Sequence, residues 1–129
     1  MILNVVAALI YNNGKVLIAK RSTGNPEVLG KWEFPGGKVE PNETEEHAIE
    51  REINEEFELT IKAKEYLTHN VLETPTKTID LKLYSCDYIE GEFNLHDHSE
   101  YNWVEPKDLL TYDLAPADIP LAQYVSKKD

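Results

Sequence analysis

Three glutamates, Glu52, Glu55 and Glu56, fall within five residues of a strongly acidic stretch. At 100° per residue on a helix, Glu52 and Glu56 lie about 40° apart, with Glu55 about 60° to the other side of Glu52. Their carboxylates share one face, beside an apolar stripe of Ala48, Ile49, Ile53 and Phe57. Like charges at this spacing cost roughly 0.2–0.5 kcal/mol when exposed, and more when partly buried. A solvated acidic face tolerates that cost. So does a site for a hard cation, because Mg²⁺ and Mn²⁺ take oxygen ligands from carboxylates, water and phosphate. Gly36 and Gly37, a short distance upstream, leave room for backbone carbonyls and a phosphate to come close.

The elements that must hold these groups can be read along the chain. Residues 3–11 are β-branched and aliphatic and end in Asn12-Asn13-Gly14, a hairpin signal, after which Lys15–Lys20 returns as a strand. Ser22–Lys31 has loop composition, and Trp32-Glu33-Phe34 is a short extended piece ended by Pro35-Gly36-Gly37. Thr44 is a good N-cap for the acidic helix, with Glu45 and Glu46 in its positive first turn. Strands follow at about 61–72 and 77–88, a turn at Gly91-Glu92 and a short strand at Trp103-Val104. A short helix runs from Pro106 to Leu110, and a last one covers Leu121–Val125. This order predicts an α+β fold, a mixed sheet between helices, in one domain spanning residues 1–129.

Composition narrows the function classes. The chain has 129 residues, 41% hydrophobic and 29% charged, which suits a folded domain and not a disordered one. No apolar run reaches the ~20 residues of a membrane span, and the N-terminus lacks the basic region of a signal peptide. The lone Cys86 fits a reducing cytoplasm. Net charge is −11, which argues against a nucleic-acid backbone as partner. Residues 40–58 hold nine Glu and one Arg, so most of that charge is concentrated around the helix.

Gly37, Glu43, Arg51-Glu52-Ile53, Glu55-Glu56 and Leu59 together resemble the Nudix box, G-x5-E-x7-R-E-U-x-E-E-x-G-U, with U a bulky aliphatic residue. The match spans residues 37–59 and departs from the pattern only at Glu58, where the family has Gly. That Gly is a left-handed C-cap, so Glu there should cost up to about 1 kcal/mol without removing a ligand. Trp32–Glu40 looks like the segment that leads into the box in the MutT branch. Leu114–Leu121 is similar to the C-terminal segment of cytidine-triphosphate pyrophosphohydrolases.

The resemblance implies a Nudix fold and a Mg²⁺- or Mn²⁺-dependent hydrolase. It implies cleavage of a (deoxy)nucleoside triphosphate to monophosphate and pyrophosphate, in the manner of enzymes that clear damaged or unwanted nucleotides. By the same resemblance Glu52, Glu55 and Glu56 bind the ion, with the Gly36 carbonyl as a further ligand, and Arg51 pairs with Glu43. Lys38 and Arg21 are candidates for phosphate contact, against a reading as solvated charge. Asp97 and Glu100, six and three residues before Trp103, compete as the water-activating base. Asp118 is a candidate acceptor for a base amine and equally a candidate N-cap of the last helix. Phe34 and Tyr11 could stack on a base or simply belong to the core.

Rival readings remain. The substrate could be a nucleoside diphosphate linked to another group, such as ADP-ribose, since the box reports only diphosphate chemistry. A non-catalytic nucleotide sensor of the same fold would be expected to lack one of the three glutamates. His96 and His98 with their acidic neighbours could be read as a zinc site, but the oxygen-rich donors favour hard ions. A calcium buffer would need EF-hand spacing, which is missing. The partner expected is a small nucleotide, with no nucleic-acid polymer and no membrane; monomer and homodimer are both open.

Overall fold

The computed structural model describes residues 2–24 and 26–128; Met1, Asn25 and Asp129 lie outside the described residues. Strand β1 (Ile2–Asn12) turns into β2 (Lys15–Arg21) through Asn13 and Gly14, both at positive φ, as the Asn-Gly signal predicts. Two short strands follow, β3 (Trp32–Glu33) and β4 (Gly36–Lys38), and then helix α1 (Glu45–Phe57). A long hairpin of β5 (Thr60–Glu73) and β6 (Thr78–Glu90) leads to β7 (His98–Val104). Two 3-10 turns, Pro106–Thr111 and Pro116–Asp118, precede the last helix α2 (Ile119–Lys128). No helix is long and apolar enough to cross a membrane among the described residues.

The alternation of β1 decides the layers. Val6, Ala8 and Ile10 face α1, packing with Leu17, Ile49, Ile53 and Phe57. Ala7 and Leu9 face the other way, toward Leu83, Leu109, Leu121 and Val125. Strand β1 runs parallel to β6 from Ile2↔Thr78 to Tyr11↔Asp87, and β6 pairs antiparallel with β5. The result is the predicted mixed sheet held between helices.

On its other edge β1 pairs with β2 only beside the turn, at Tyr11↔Val16 and Asn12↔Lys15. Beyond that the two strands part. Strand β4 takes the place beside β1, Val5↔Lys38 to Ala7↔Gly36, and β3 the place beside β2, Ala19↔Glu33 and Lys20↔Trp32. The 32–38 segment therefore lies in the fork, and Pro35 O accepts from Ala8 N at 2.7 Å. Glycine is required at this point: a Cβ on Gly36 would collide with the Val6 carbonyl.

Several boundaries differ from expectation. Strand β4 was not anticipated, because Gly36-Gly37 has no apolar pattern and is held by the gap it fills. Strand β7 begins at His98, not at Trp103, because pairing with β2 recruits its polar residues. The Pro106 element is a 3-10 turn, and α2 extends further at both ends than Leu121–Val125.

Candidate active site

Helix α1 starts where its chemistry predicts. Thr44 Oγ1 accepts from His47 N at 3.1 Å, and the Glu58 backbone, left-handed at φ 58°, closes the other end by donating to Asn54 O at 2.9 Å. The cap that the family builds with Gly is thus built here with Glu. The cost in backbone strain is met by side-chain contacts: Glu58 Oε2 lies 2.7 Å from Asn94 Nδ2 and 2.8 Å from His96 Nε2.

Arg51 organises the acidic cluster. Its Nε and Nη2 donate to Glu43 at 2.7 and 2.9 Å, a two-pronged pair that holds the Glu43 carboxyl down at about 2. The backbone N–H of Glu40 and the ring of His47 also contact Glu43. Nη1 of Arg51 reaches Glu52 at 2.7 Å and Glu55 at 3.2 Å, and Nη2 reaches the Lys38 carbonyl at 3.2 Å. The guanidinium thereby docks α1 onto the Gly36–Lys38 strand. Glu52 rests against Gly37 so closely that a Cβ there would strike its carboxylate.

Glu56 is only 8% exposed. Burial first, then a side-chain hydrogen bond with Glu52 and the charges of Glu52, Glu33 and Asp97, push its carboxyl up to about 9. Its Oε1 has no hydrogen-bond partner. Glu52 and Glu56 thus bring two carboxylates together in a partly enclosed place, where their like charges repel. The donor set is all oxygen, which suits a hard divalent ion, so Glu52 and Glu56 fit the metal that the fold implies. Among the described residues no three His, Cys, Asp or Glu side chains already converge as a metal cage. Glu55 is 59% exposed on its side chain and turned toward Arg51.

These groups open onto a cleft of about 1130 Å³. Arg21, Phe34, Gly36, Gly37, Lys38, Glu52, Glu56, Asp97 and Asp118 line it, so most candidates named from the sequence are brought together. Glu100 is not. It sits on β7 opposite Lys20, 3.5 Å from its Nζ and outside the cleft, because the β2–β7 ladder turns its side chain to solvent. Of the two competing bases only Asp97 faces the cleft. Tyr11 packs against the core on the α2 side and is likewise not a lining residue.

Asp118 is 5% exposed and directly precedes α2, and its Oδ2 accepts from Phe34 N at 2.9 Å. Burial, reinforced by Glu33, pushes this carboxyl up to about 8. Asn70 Nδ2 holds the Ala117 carbonyl at 3.2 Å and so ties the same segment to β5. One residue, Glu33, was overlooked in the sequence. Glu33 Oε2 accepts from Arg21 Nη1 at 3.0 Å and lies 2.9 Å from His98 Nε2. Arg21 therefore reaches the cleft already paired, and Lys38 is the freer of the two phosphate candidates. The one signal for Glu33 was a charge lying between two aromatics in a short strand.

The NUDIX domain model matches residues 1–125, nearly the whole chain. The chain belongs to the Nudix family. Among Nudix relatives, the CTP pyrophosphohydrolase of Escherichia coli K12 is 38% identical over 121 residues, covering 94% of this chain and 89% of the relative. A protein named putative 8-oxo-dGTP diphosphatase 2, from Mycobacterium tuberculosis, is 36% identical over 117 residues, covering 88% and 81%. The solution structure of the E. coli ORF135 protein superposes with a TM-score of 0.86 at 37% identity, covering 95% of this chain and 87% of that one.

Proposed function

We propose that this Nudix hydrolase cleaves a (deoxy)nucleoside triphosphate with water into monophosphate and pyrophosphate, and serves to remove damaged or unwanted nucleotides. The observation that carries this reading is the pair of half-buried Glu52 and buried Glu56 beside Gly36-Gly37, in a cleft that Phe34 and Asp118 also line. A nucleotide fits that layout with phosphates at the glycine strand and base toward Asp118. The relatives named for CTP and 8-oxo-dGTP support a triphosphate as substrate.

Glu52 and Glu56, with the Gly36 carbonyl, would hold Mg²⁺ or Mn²⁺; Glu55 would join them by rotating off Arg51. Such an ion, when bound, neutralises phosphate charge and acidifies a water. Arg51 and Glu43 keep α1 in register with the glycine strand, Lys38 offers a cation to the phosphates, and Asp97 is the candidate acceptor for a proton of the attacking water. Asp118, with Oδ2 engaged by Phe34 N, has its second oxygen left for a base edge. The buried, unpaired Cys86 suits a reducing cytoplasm.

A panel of nucleoside triphosphates, 8-oxo-dGTP and nucleoside diphosphate sugars, assayed with Mg²⁺ for nucleoside monophosphate, pyrophosphate and orthophosphate separately, tests the reading. Pyrophosphate and monophosphate should appear in equal amounts from a triphosphate. Faster cleavage of ADP-ribose than of any triphosphate would overturn it.

A further inference from the structure

The imidazole of His98 is wholly shielded from solvent, with one face stacked on Phe57 at a ring separation of 4.9 Å. Its Nε2 is anchored on the Arg21–Glu33 pair. Its Nδ1, on the opposite side, has no hydrogen-bond partner, and it faces Oε1 of Glu56 at 3.9 Å. Among the described residues these two atoms are the buried side-chain polar atoms left unpartnered. The separation is too long for a hydrogen bond, yet closing it by about 1 Å would satisfy both at once.

The backbone shows how His98 comes to point inward. In the β2–β7 ladder Lys20 pairs with Glu100 but Arg21 pairs with His98, so the register slips at Ser99. A bulge re-aims the side chains on one side of it. Without the slip, His98 and Glu100, two apart on a strand, would share a face; with it, Glu100 points to solvent and His98 points at Glu56.

We propose that His98 is the positioning residue of Glu56: held at Nε2 by Glu33, it closes its Nδ1 onto Glu56 Oε1 and fixes the turn of that carboxylate toward Glu52. One oxygen of Glu56 is thereby committed to the protein and the other is left for the ion. The inference rests on the reading of Glu52 and Glu56 as the cation site. Groups that orient a ligand from behind typically matter 10–100-fold in metal affinity or activity.

Two substitutions separate this role from simple packing. Asparagine carries its amide at the δ position, facing Glu56, whereas glutamine carries it at the ε position, facing Glu33. Mn²⁺ binding to the nucleotide-free protein, followed by electron paramagnetic resonance, and steady-state kcat and KM are measured for H98N, H98Q and E56Q. H98N should keep the Mn²⁺ Kd and kcat within about 3-fold of wild type, and H98Q should worsen both by ~10-fold or more with nucleotide KM little changed. The reverse order, or Mn²⁺ binding untouched in both variants but lost in E56Q, overturns the proposal while leaving the cation site standing. Normal Mn²⁺ binding and activity in E56Q would overturn the cation site itself, and this inference with it. Nitrogen NMR on the wild-type protein involves no folding risk: the Nδ1 resonance of His98 should move on saturation with Mg²⁺, and an unmoved resonance also overturns the proposal.

Discussion

Asp118 shows how one carboxyl can be shaped by its surroundings. It holds Phe34 N through Oδ2 in an almost dry place, and its carboxyl is raised from an ordinary 3.8 to about 8. The folded protein therefore keeps a proton there across roughly pH 4 to 8 that the unfolded chain releases. Stability tied to this group is full below about pH 4 and is lost as pH rises through about 8, at up to about 1.4 kcal/mol per pH unit. Asp118→Asn keeps an acceptor for Phe34 N and removes the titration. The melting temperature of the variant relative to wild type should therefore climb steadily from pH 5 to pH 8. A difference that stays constant over that range would mean Asp118 is ionised in the folded protein. At this scale the sequence was informative about residue type and poor on direction. Glu52, Glu56, Lys38, Asp97 and Asp118 all reach the cleft, whereas Glu100 does not, because a one-residue slip in a long-range ladder reverses its face.

At the scale of the element, the C-terminal end of α1 balances two effects. Glycine at position 58 would relieve a left-handed backbone by up to about 1 kcal/mol. Glutamate instead joins the helix end to the loop that presents Asp97, through Asn94 and His96, and that loop also donates from Asn94 N to Phe57 O and from His96 N to Glu56 O. Half-exposed hydrogen bonds of this kind contribute roughly 0.5–1 kcal/mol each. Glu58→Gly should thus leave the melting temperature nearly unchanged while the amide of His96 exchanges several-fold faster by NMR. Glu58→Ala, strained and without the contacts, should lose about 1–2 kcal/mol. A gain of a full ~1 kcal/mol in the glycine variant would show that the contacts are worth nothing. The helix and both its caps were legible, since Thr44 and position 58 act locally. The loop contact was not, since its donors lie 36 and 38 residues away in sequence.

For the whole molecule, the aliphatic run of residues 3–11, the later strand patterns and the period of α1 were enough to predict a sheet between helices. Strand β4 and the first part of β7 were not legible, because each exists only through a neighbour from elsewhere in the chain. The net charge of −11 has a consequence at this scale. A polyanionic substrate approaching such a surface is repelled over about 10 Å at 0.1 M salt. At saturating Mg²⁺, raising NaCl from 10 to 150 mM should hold or improve kcat/KM; a steep fall would mean that Lys38 and the bound ion already dominate the approaching field. The central claim is that Glu52 and Glu56 hold the ion on which triphosphate cleavage depends. Pyrophosphate release by Glu56→Gln, titrated with Mg²⁺ on protein shown to be folded, tests it most directly. The account predicts a loss of at least ~10²-fold that added Mg²⁺ does not restore; wild-type turnover at saturating Mg²⁺ would contradict it.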